Sequence, residues 1–259
     1  MAKTALITGA AGGLGKTYAE YFLKAGYRVV LADIQDELGL KTEKELSAYG
    51  ECAYVHCDVT IPGDRAALVE KTVALFGSLE VLVNNAGVAS RIFVEDISEE
   101  HYDFIQEINQ KSVFFLSKEA AKVMKKQRYG KIINVTSPRA VFADTRHLPY
   151  GVTKRAVMAI TEYLGICWAR YGINVNAVSL GMILTPMSAH HLQEDPDFLT
   201  KVANIHPIRR VLTPDDPAKV VLFLASDEAS SLVGQTITVD GGFSILNQAE
   251  APTMPWPEE

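Results

Sequence analysis

Three residues near the middle of the chain have the types and spacing to move a proton. Ser137 is followed thirteen residues later by Tyr150, and Lys154 comes four residues after that. A phenol with an ordinary pKa of about 10 is a poor base at neutral pH, and a cation beside it eases its ionisation. At i and i+4, Tyr150 and Lys154 share one face of a helix, so the ammonium can bias the phenol. Ser137 can donate a hydrogen bond to the oxygen of a bound alcohol or ketone and stabilise charge that develops there. Taken alone, Y-x-x-x-K is also an ordinary helix start, and its weight depends on what the rest of the chain brings to it.

A second constellation lies at the amino end. The segment TGAAGGLGKT follows an apolar run at 3–8 and carries glycines at 9, 12, 13 and 15. A glycine-rich string alone is weak evidence because turns need glycine anyway. Here a strand pattern precedes it, a helix pattern follows, and Asp33 ends the second apolar run eighteen residues past Gly15. Glycine lets backbone approach a pyrophosphate, and a helix N-terminus offers unpaired N–H groups and the positive end of a dipole. Asp33 is placed to accept hydrogen bonds from an adenosine ribose, and its carboxylate would repel a 2'-phosphate. Neither "DIQDE" nor "GAAGG" supplies an arginine or lysine to hold such a phosphate, and Lys16 should point away from inside the first helix. The cofactor expected is NAD rather than NADP. The bland alternative is a glycine turn beside a solvated carboxylate.

These residues need elements to hold them. Continuous apolar runs rich in β-branched residues recur at 3–8, 28–33, 52–57, 79–84, 131–136, 173–179 and 235–240. Such runs read as buried parallel strands. Between them apolar residues recur at three and four, with Gly26, Gly77, Gly130 and Gly172 where helices should stop. This alternation predicts an α/β fold: a single domain over 1–259, with seven parallel strands, doubly wound, and helices on both faces. Residues 181–213 carry helical pattern without a clear strand and are expected to lie over the ligand crevice as a lid. The last residues, about 244–259, with three prolines, read as an extended tail.

The ordered motifs resemble the short-chain dehydrogenase/reductase family, in its branch of single-domain chains about this long. Thr8, Gly9, Gly13 and Gly15 match its nucleotide loop, "CDVT" sets Asp58 after the third strand, and "NNAG" spans 84–87. Asn109, Ser137, Tyr150 and Lys154 match its catalytic tetrad, and "GMILTPM" and "VDGGF" match later motifs. The match runs from about residue 3 to residue 243. It implies that Tyr150 is the general acid/base, and that Lys154 lowers its pKa and holds the nicotinamide ribose. It also implies that Ser137 orients the substrate oxygen and that Asn109 holds a water in a proton relay. Contacts to the cofactor are implied for Leu14, Ile34, Asp58, Val59, Asn85, Ala86, Gly87 and Thr185. Two departures stand out: Leu180, where the family usually has proline, and Pro138 directly after the serine.

Specificity should reside beside the tetrad. Arg139, Arg91 and Arg146, with His147, could engage a polar or anionic substrate, since a guanidinium holds a carboxylate, sulfonate or phosphate in a planar fork. Equally ordinary would be pairing of these arginines with Asp144 or Glu95. Met182 and Met187 could form an adaptable apolar wall. His190 and His191 are adjacent, so on a helix they diverge and lack a third ligand at sensible spacing. No metal is expected.

Bulk properties narrow the class. The 259 residues are 48% hydrophobic and 22% charged, with a formal net charge of -6. That balance argues against a nucleic-acid or anionic-membrane partner. Cys52, Cys57 and Cys167 lack disulfide or zinc spacing. No leader segment and no membrane span is read, so a cytoplasmic location is expected. The 148–172 helix pattern, apolar on more than one side, predicts a homo-oligomer, a dimer or tetramer. The reading is an NAD-dependent oxidoreductase interconverting a secondary alcohol and a ketone. Its rival is a protein that senses NAD(H), or serves a structural role, on the same fold without chemistry.

Overall fold

The computed structural model describes residues 2–185 and 197–246. Met187, His190, His191 and the tail beyond residue 246 lie outside the described residues. Seven parallel strands form one sheet in the order β3-β2-β1-β4-β5-β6-β7. They are β1 (Thr4–Thr8), β2 (Arg28–Asp33), β3 (Cys52–His56), β4 (Val81–Asn84), β5 (Gly130–Thr136), β6 (Ile173–Leu180) and β7 (Thr236–Val239). Each expected apolar run is a strand, with its ends shifted by at most two residues.

Alternation of side chains across the sheet builds two cores. Ala5 and Ile7 of β1 face the layer of α1 (Gly13–Lys24) and α8 (Asp215–Ala225), with Tyr18, Phe22 and Val221 fully buried there. Leu6 faces the other layer, α3 (Pro62–Phe76), α5 (Ser112–Gln127) and α6 (Leu148–Trp168), packed through Leu68, Leu116 and Met124. α2 (Asp36–Leu46), α4 (Glu99–Gln106) and α7 (Phe198–Ile205) complete the helices among the described residues.

Strand order reverses between β1 and β4. That switch point opens a crevice at the carboxyl ends of the strands, where ligands of open α/β sheets bind. Thr8, Asn85, Ser137 and Gly181 all lie at this edge.

Two expectations are corrected. Gly26, Gly77 and Gly172 take left-handed φ at helix ends, but Gly130 does not. It opens β5, and α5 is closed by Arg128 at φ 58. A side chain at Gly130 would meet Met124 Sδ at 2.4 Å, so close packing selects the glycine there. The tail does not extend from residue 244: Phe243–Ile245 form a 3-10 turn, with Asp240 Oδ2 accepting from the Ser244 N–H at 2.7 Å. Within 181–213 the described ends are tied by a bridge between Ile183 and Leu212. At Leu180 β6 keeps its register with β7, opposite Val239, and the following Gly181 N–H donates to the Val239 carbonyl at 3.0 Å.

Candidate active site

The glycine loop runs from β1 into α1. Gly15 packs so tightly on it that a Cβ would lie 2.1 Å from the Gly9 carbonyl oxygen, so only glycine fits. Gly13, at φ +53, has nothing within 4 Å of its Cβ position. No side chain caps α1, and its first turn carries no acid. The result is a cleared cradle over unpaired N–H groups at a positive dipole end, which suits a pyrophosphate. Thr8 ties this loop to the next: its Oγ1 accepts from the Asn85 and Ala86 N–H groups at 3.1 and 3.0 Å. The Asn85 amide donates back to the Thr8 carbonyl at 2.9 Å. Leu14 packs on the core below.

Asp33 ends β2 nearly buried. Its Oδ2 accepts from the Ala11 N–H at 3.0 Å and its Oδ1 from the Gln35 N–H at 3.1 Å, which hold the carboxylate against the loop. The groove beside it is lined by Gln35, Asp36, Glu37, Leu38 and Lys41. Lys16 is ion-paired with Glu45. Ile34 is exposed on the same rim. Asp58 Oδ1 closes a turn by accepting from the Thr60 N–H and hydroxyl, while the buried Val59 gives its carbonyl to Arg65. Together these residues fit a dinucleotide.

Across the switch point, β5 delivers Ser137 and α6 delivers Tyr150 and Lys154. Ser137 caps the turn Pro138–Ala140, its Oγ accepting from the Arg139 N–H at 3.3 Å, and Pro138 stiffens that turn. Lys154 is buried, and its Nζ donates to the Val135 carbonyl at 3.0 Å. It stands 5.6 Å from the Tyr150 ring centroid. Burial holds its pKa down at about 8. Burial also raises the Tyr150 phenol, against the opposing effects of a hydrogen bond with Ser137 and the Arg139 charge. Burial wins that contest, so the phenol lies above its ordinary value.

Asn109 comes from a π-helical turn, Glu107–Lys111, between α4 and α5. Such single-turn bulges often re-aim a side chain at a functional site. Asn109 is fully buried; its Oδ1 accepts from the Val88 N–H and its Nδ2 donates to the Val88 carbonyl, both at 2.8 Å. At Gly87 a Cβ would lie 3.0 Å from Asn109 Oδ1 and 3.5 Å from Lys154 Nζ, so the absent side chain lets the three meet.

Of the residues expected to face substrate, Arg139 is ion-paired with Asp144. Asp144 also accepts from the N–H groups of Arg146 and His147 and bonds His147 Nδ1 at 2.8 Å. These contacts hold its carboxyl down at about 2, against the cost of burial. Arg146 stacks 4.2 Å over the Phe93 ring. Arg91 and Met182 are exposed, and Thr185 is half-buried at the last described position before residue 197.

Sequence reasoning missed two supports. Gly151 lies beneath the Arg139 carbonyl, where a Cβ would come within 2.9 Å, so a glycine after Tyr150 lets the serine turn settle on α6. A buried chain also links the strands to that helix. The Asn84 amide donates to Ser117 Oγ at 2.9 Å and Asn134 Oδ1 at 2.8 Å, and the Asn134 amide donates to Thr161 Oγ1 at 2.9 Å. The polar types were visible in the strands, but their pairing needs the register.

The family model described as enoyl-(acyl carrier protein) reductase matches residues 9–244. Momilactone A synthase of Oryza sativa subsp. japonica is 38% identical, covering 95% of this chain and 92% of that protein. Mitochondrial borneol dehydrogenase of Lavandula x intermedia is 37% identical over 95% and 92%. Among solved structures, an actinorhodin polyketide ketoreductase variant with NADPH superposes at a TM-score of 0.90, with 30% identity, covering 95% of this chain and 98% of that one. Among the described residues no helix is long and apolar enough to cross a membrane. A seven-stranded doubly wound sheet, a glycine cradle at its switch point and this family match over nearly the whole chain lead to one conclusion: the chain belongs to the short-chain dehydrogenase/reductase family, oxidoreductases that use a nicotinamide cofactor, and acts on alcohol- or ketone-type substrates.

Proposed function

We propose that this chain is an NAD-dependent oxidoreductase interconverting a secondary alcohol and a ketone, with Tyr150 as the general acid/base. The observation that carries this reading is the meeting of Ser137, Tyr150, Lys154 and Asn109 at the strand edge that also holds the open Gly13 cradle. A bound nicotinamide supplies the hydride acceptor or donor. Tyr150 holds the substrate's hydroxyl proton at Oη, Ser137 donates to the same oxygen, and Lys154 and Asn109 lie behind the phenol to pass the proton onward. Preference for NAD rests on Asp33, with Asp36 and Glu37 on the same groove and Lys16 engaged by Glu45. A homo-oligomer, dimer or tetramer, is supported by α6, which leaves Tyr163 and Ile166 exposed. A cytoplasmic site is supported by three free thiols, of which Cys57 is buried and pushed up to about 12.

The test is absorbance at 340 nm with NAD(H) and NADP(H) on a panel of secondary alcohols and ketones. Turnover should favour NAD, and Tyr150→Phe should lose at least about 100-fold in kcat, the scale of general acid–base catalysis. NADH binding, followed by fluorescence, should survive the substitution. Tight NADH binding with no turnover across the panel would refute the catalytic reading and favour a sensor. Turnover that prefers NADP would refute the Asp33 argument.

A further inference from the structure

Arg139 is a cation that borders the reacting groups. Its N–H donates to Ser137, its carbonyl covers Gly151, and its charge is felt at the Tyr150 phenol. Left free, it would recruit a carboxylate or sulfonate. It is instead consumed by Asp144, whose carboxylate also bonds His147. Arg146, the next cation in the same loop, is spent on Phe93, with its carbonyl accepting from the Ile92 N–H at 2.8 Å. Asp144 thus offsets the Arg139 charge, and Arg146 keeps its charge but is held over the Phe93 ring.

The same segments also carry large apolar side chains. Phe93, Val141, Phe142, Leu148, Met182 and Leu184 are 36–55% exposed. Phe93 follows the "NNAG" turn, Val141 and Phe142 follow the serine turn, Leu148 opens the helix of Tyr150, and Met182 and Leu184 follow β6. All four segments leave the sheet at the edge that carries the tetrad. Large apolar side chains gathered beside a few polar groups characterise a small-molecule site.

Building on the oxidoreductase reading above, we infer that the substrate is an uncharged, mostly apolar secondary alcohol or its ketone, and that Asp144 determines this specificity by occupying Arg139. An incoming anion would have to compete with Asp144 for the Arg139 guanidinium, and Asp144, held in place by the Arg146 and His147 N–H groups and His147 Nδ1, would remain as a like charge beside it. Specificity here arises by opposing the wrong ligand as much as by welcoming the right one. Asparagine at 144 keeps an oxygen for the Arg146 and His147 N–H groups while removing the charge that ties up Arg139, so the loop is retained and the cation released.

Two ketones with the same ring test this: 4-methylcyclohexanone and 4-oxocyclohexanecarboxylate. In the reaction the carbonyl carbon takes hydride from the reduced nicotinamide and its oxygen takes a proton, giving the alcohol and the oxidised cofactor. Wild type should favour the methyl ketone in kcat/KM and in affinity for the NADH complex by at least about tenfold. Asp144→Asn should shift the carboxylate-to-methyl ratio toward the carboxylate by at least about tenfold, the scale of one charge-assisted hydrogen bond. Arg139→Met in the Asp144→Asn background should take that gain back. A wild type that prefers the carboxylate, or an Asp144→Asn protein whose ratio does not move, overturns the inference and leaves the oxidoreductase reading standing. Failure of both ketones to bind the NADH complex or turn over with either cofactor, while other alcohols or ketones of the panel turn over, overturns this inference alone, and no turnover across the whole panel overturns the reading as well.

Discussion

Replacing Lys154 with methionine should stabilise the cofactor-free protein at neutral pH while removing its activity. The ammonium is buried, and its pKa is held at about 8 against an ordinary 10.5. At about 1.36 kcal/mol per pKa unit, keeping it charged in the fold costs roughly 3 kcal/mol at pH 7. Methionine keeps much of the apolar stem but strands the Val135 carbonyl that Nζ contacts at 3.0 Å. That lost hydrogen bond costs about 1–2 kcal/mol. The net gain is about 1–2 kcal/mol, or roughly 2–6 °C in Tm for a domain of this size. The sign depends on pH. Because the folded pKa lies below the unfolded one, the unfolded chain holds the extra proton between about pH 8 and 10.5, and wild-type stability rises relative to the variant across that window. The penalty is complete below pH 8 and gone above 10.5. Calorimetric melts of both proteins from pH 7 to 10.5, repeated in a Tyr150→Phe background to remove the neighbouring phenol, isolate Lys154. The variant should lead by a few degrees at pH 7 and be level with or behind wild type at pH 10.5. A variant that is less stable at pH 7, by a margin independent of pH, would refute the reasoning.

Substitutions at three further positions probe the scaffold. Gly15→Ala places a Cβ 2.1 Å from the Gly9 carbonyl and 2.8 Å from Asn85 Nδ2; it should cost about 1–3 kcal/mol in a melt and weaken NADH binding together. Gly13→Ala meets only open space, so its φ should cost about 1 kcal/mol, and a fluorescence titration should show binding falling more than stability. Asn134→Leu removes an acceptor from Asn84 and a donor to Thr161 at a fully buried position, so urea unfolding should register a loss of about 1–3 kcal/mol. Because Thr161 lies on the helix of Lys154, kcat should fall with it, whereas Asn134→Asp should recover part of the stability.

Legibility varied with how local the cause was. The strands could be read because buried parallel strands are continuous apolar runs, a property of the neighbours along the chain. Gly130 was misread because glycine is compatible with either a helix stop or a tight contact, and the contact is with Met124 across the fold. Asn109 could be assigned from the resemblance, but nothing in EINQK announces the π-helical turn that buries it. For Arg139 both an anion site and a pairing with Asp144 were open, and the folded loop shows the pairing.

Residue types and their intervals determined the fold class and the glycine loop with Asp33, because strand and helix periodicity and turn chemistry are written in short stretches, and the family resemblance supplied the members of the candidate tetrad. The tertiary structure decided which charges remain available and how each polar group is satisfied. Asp144 taking Arg139, Gly151 accepting the serine turn and the Asn84–Asn134–Thr161 chain each join segments that only packing brings together. Burial and partner geometry, which set the Tyr150 and Lys154 ionisation, are properties of the assembled core.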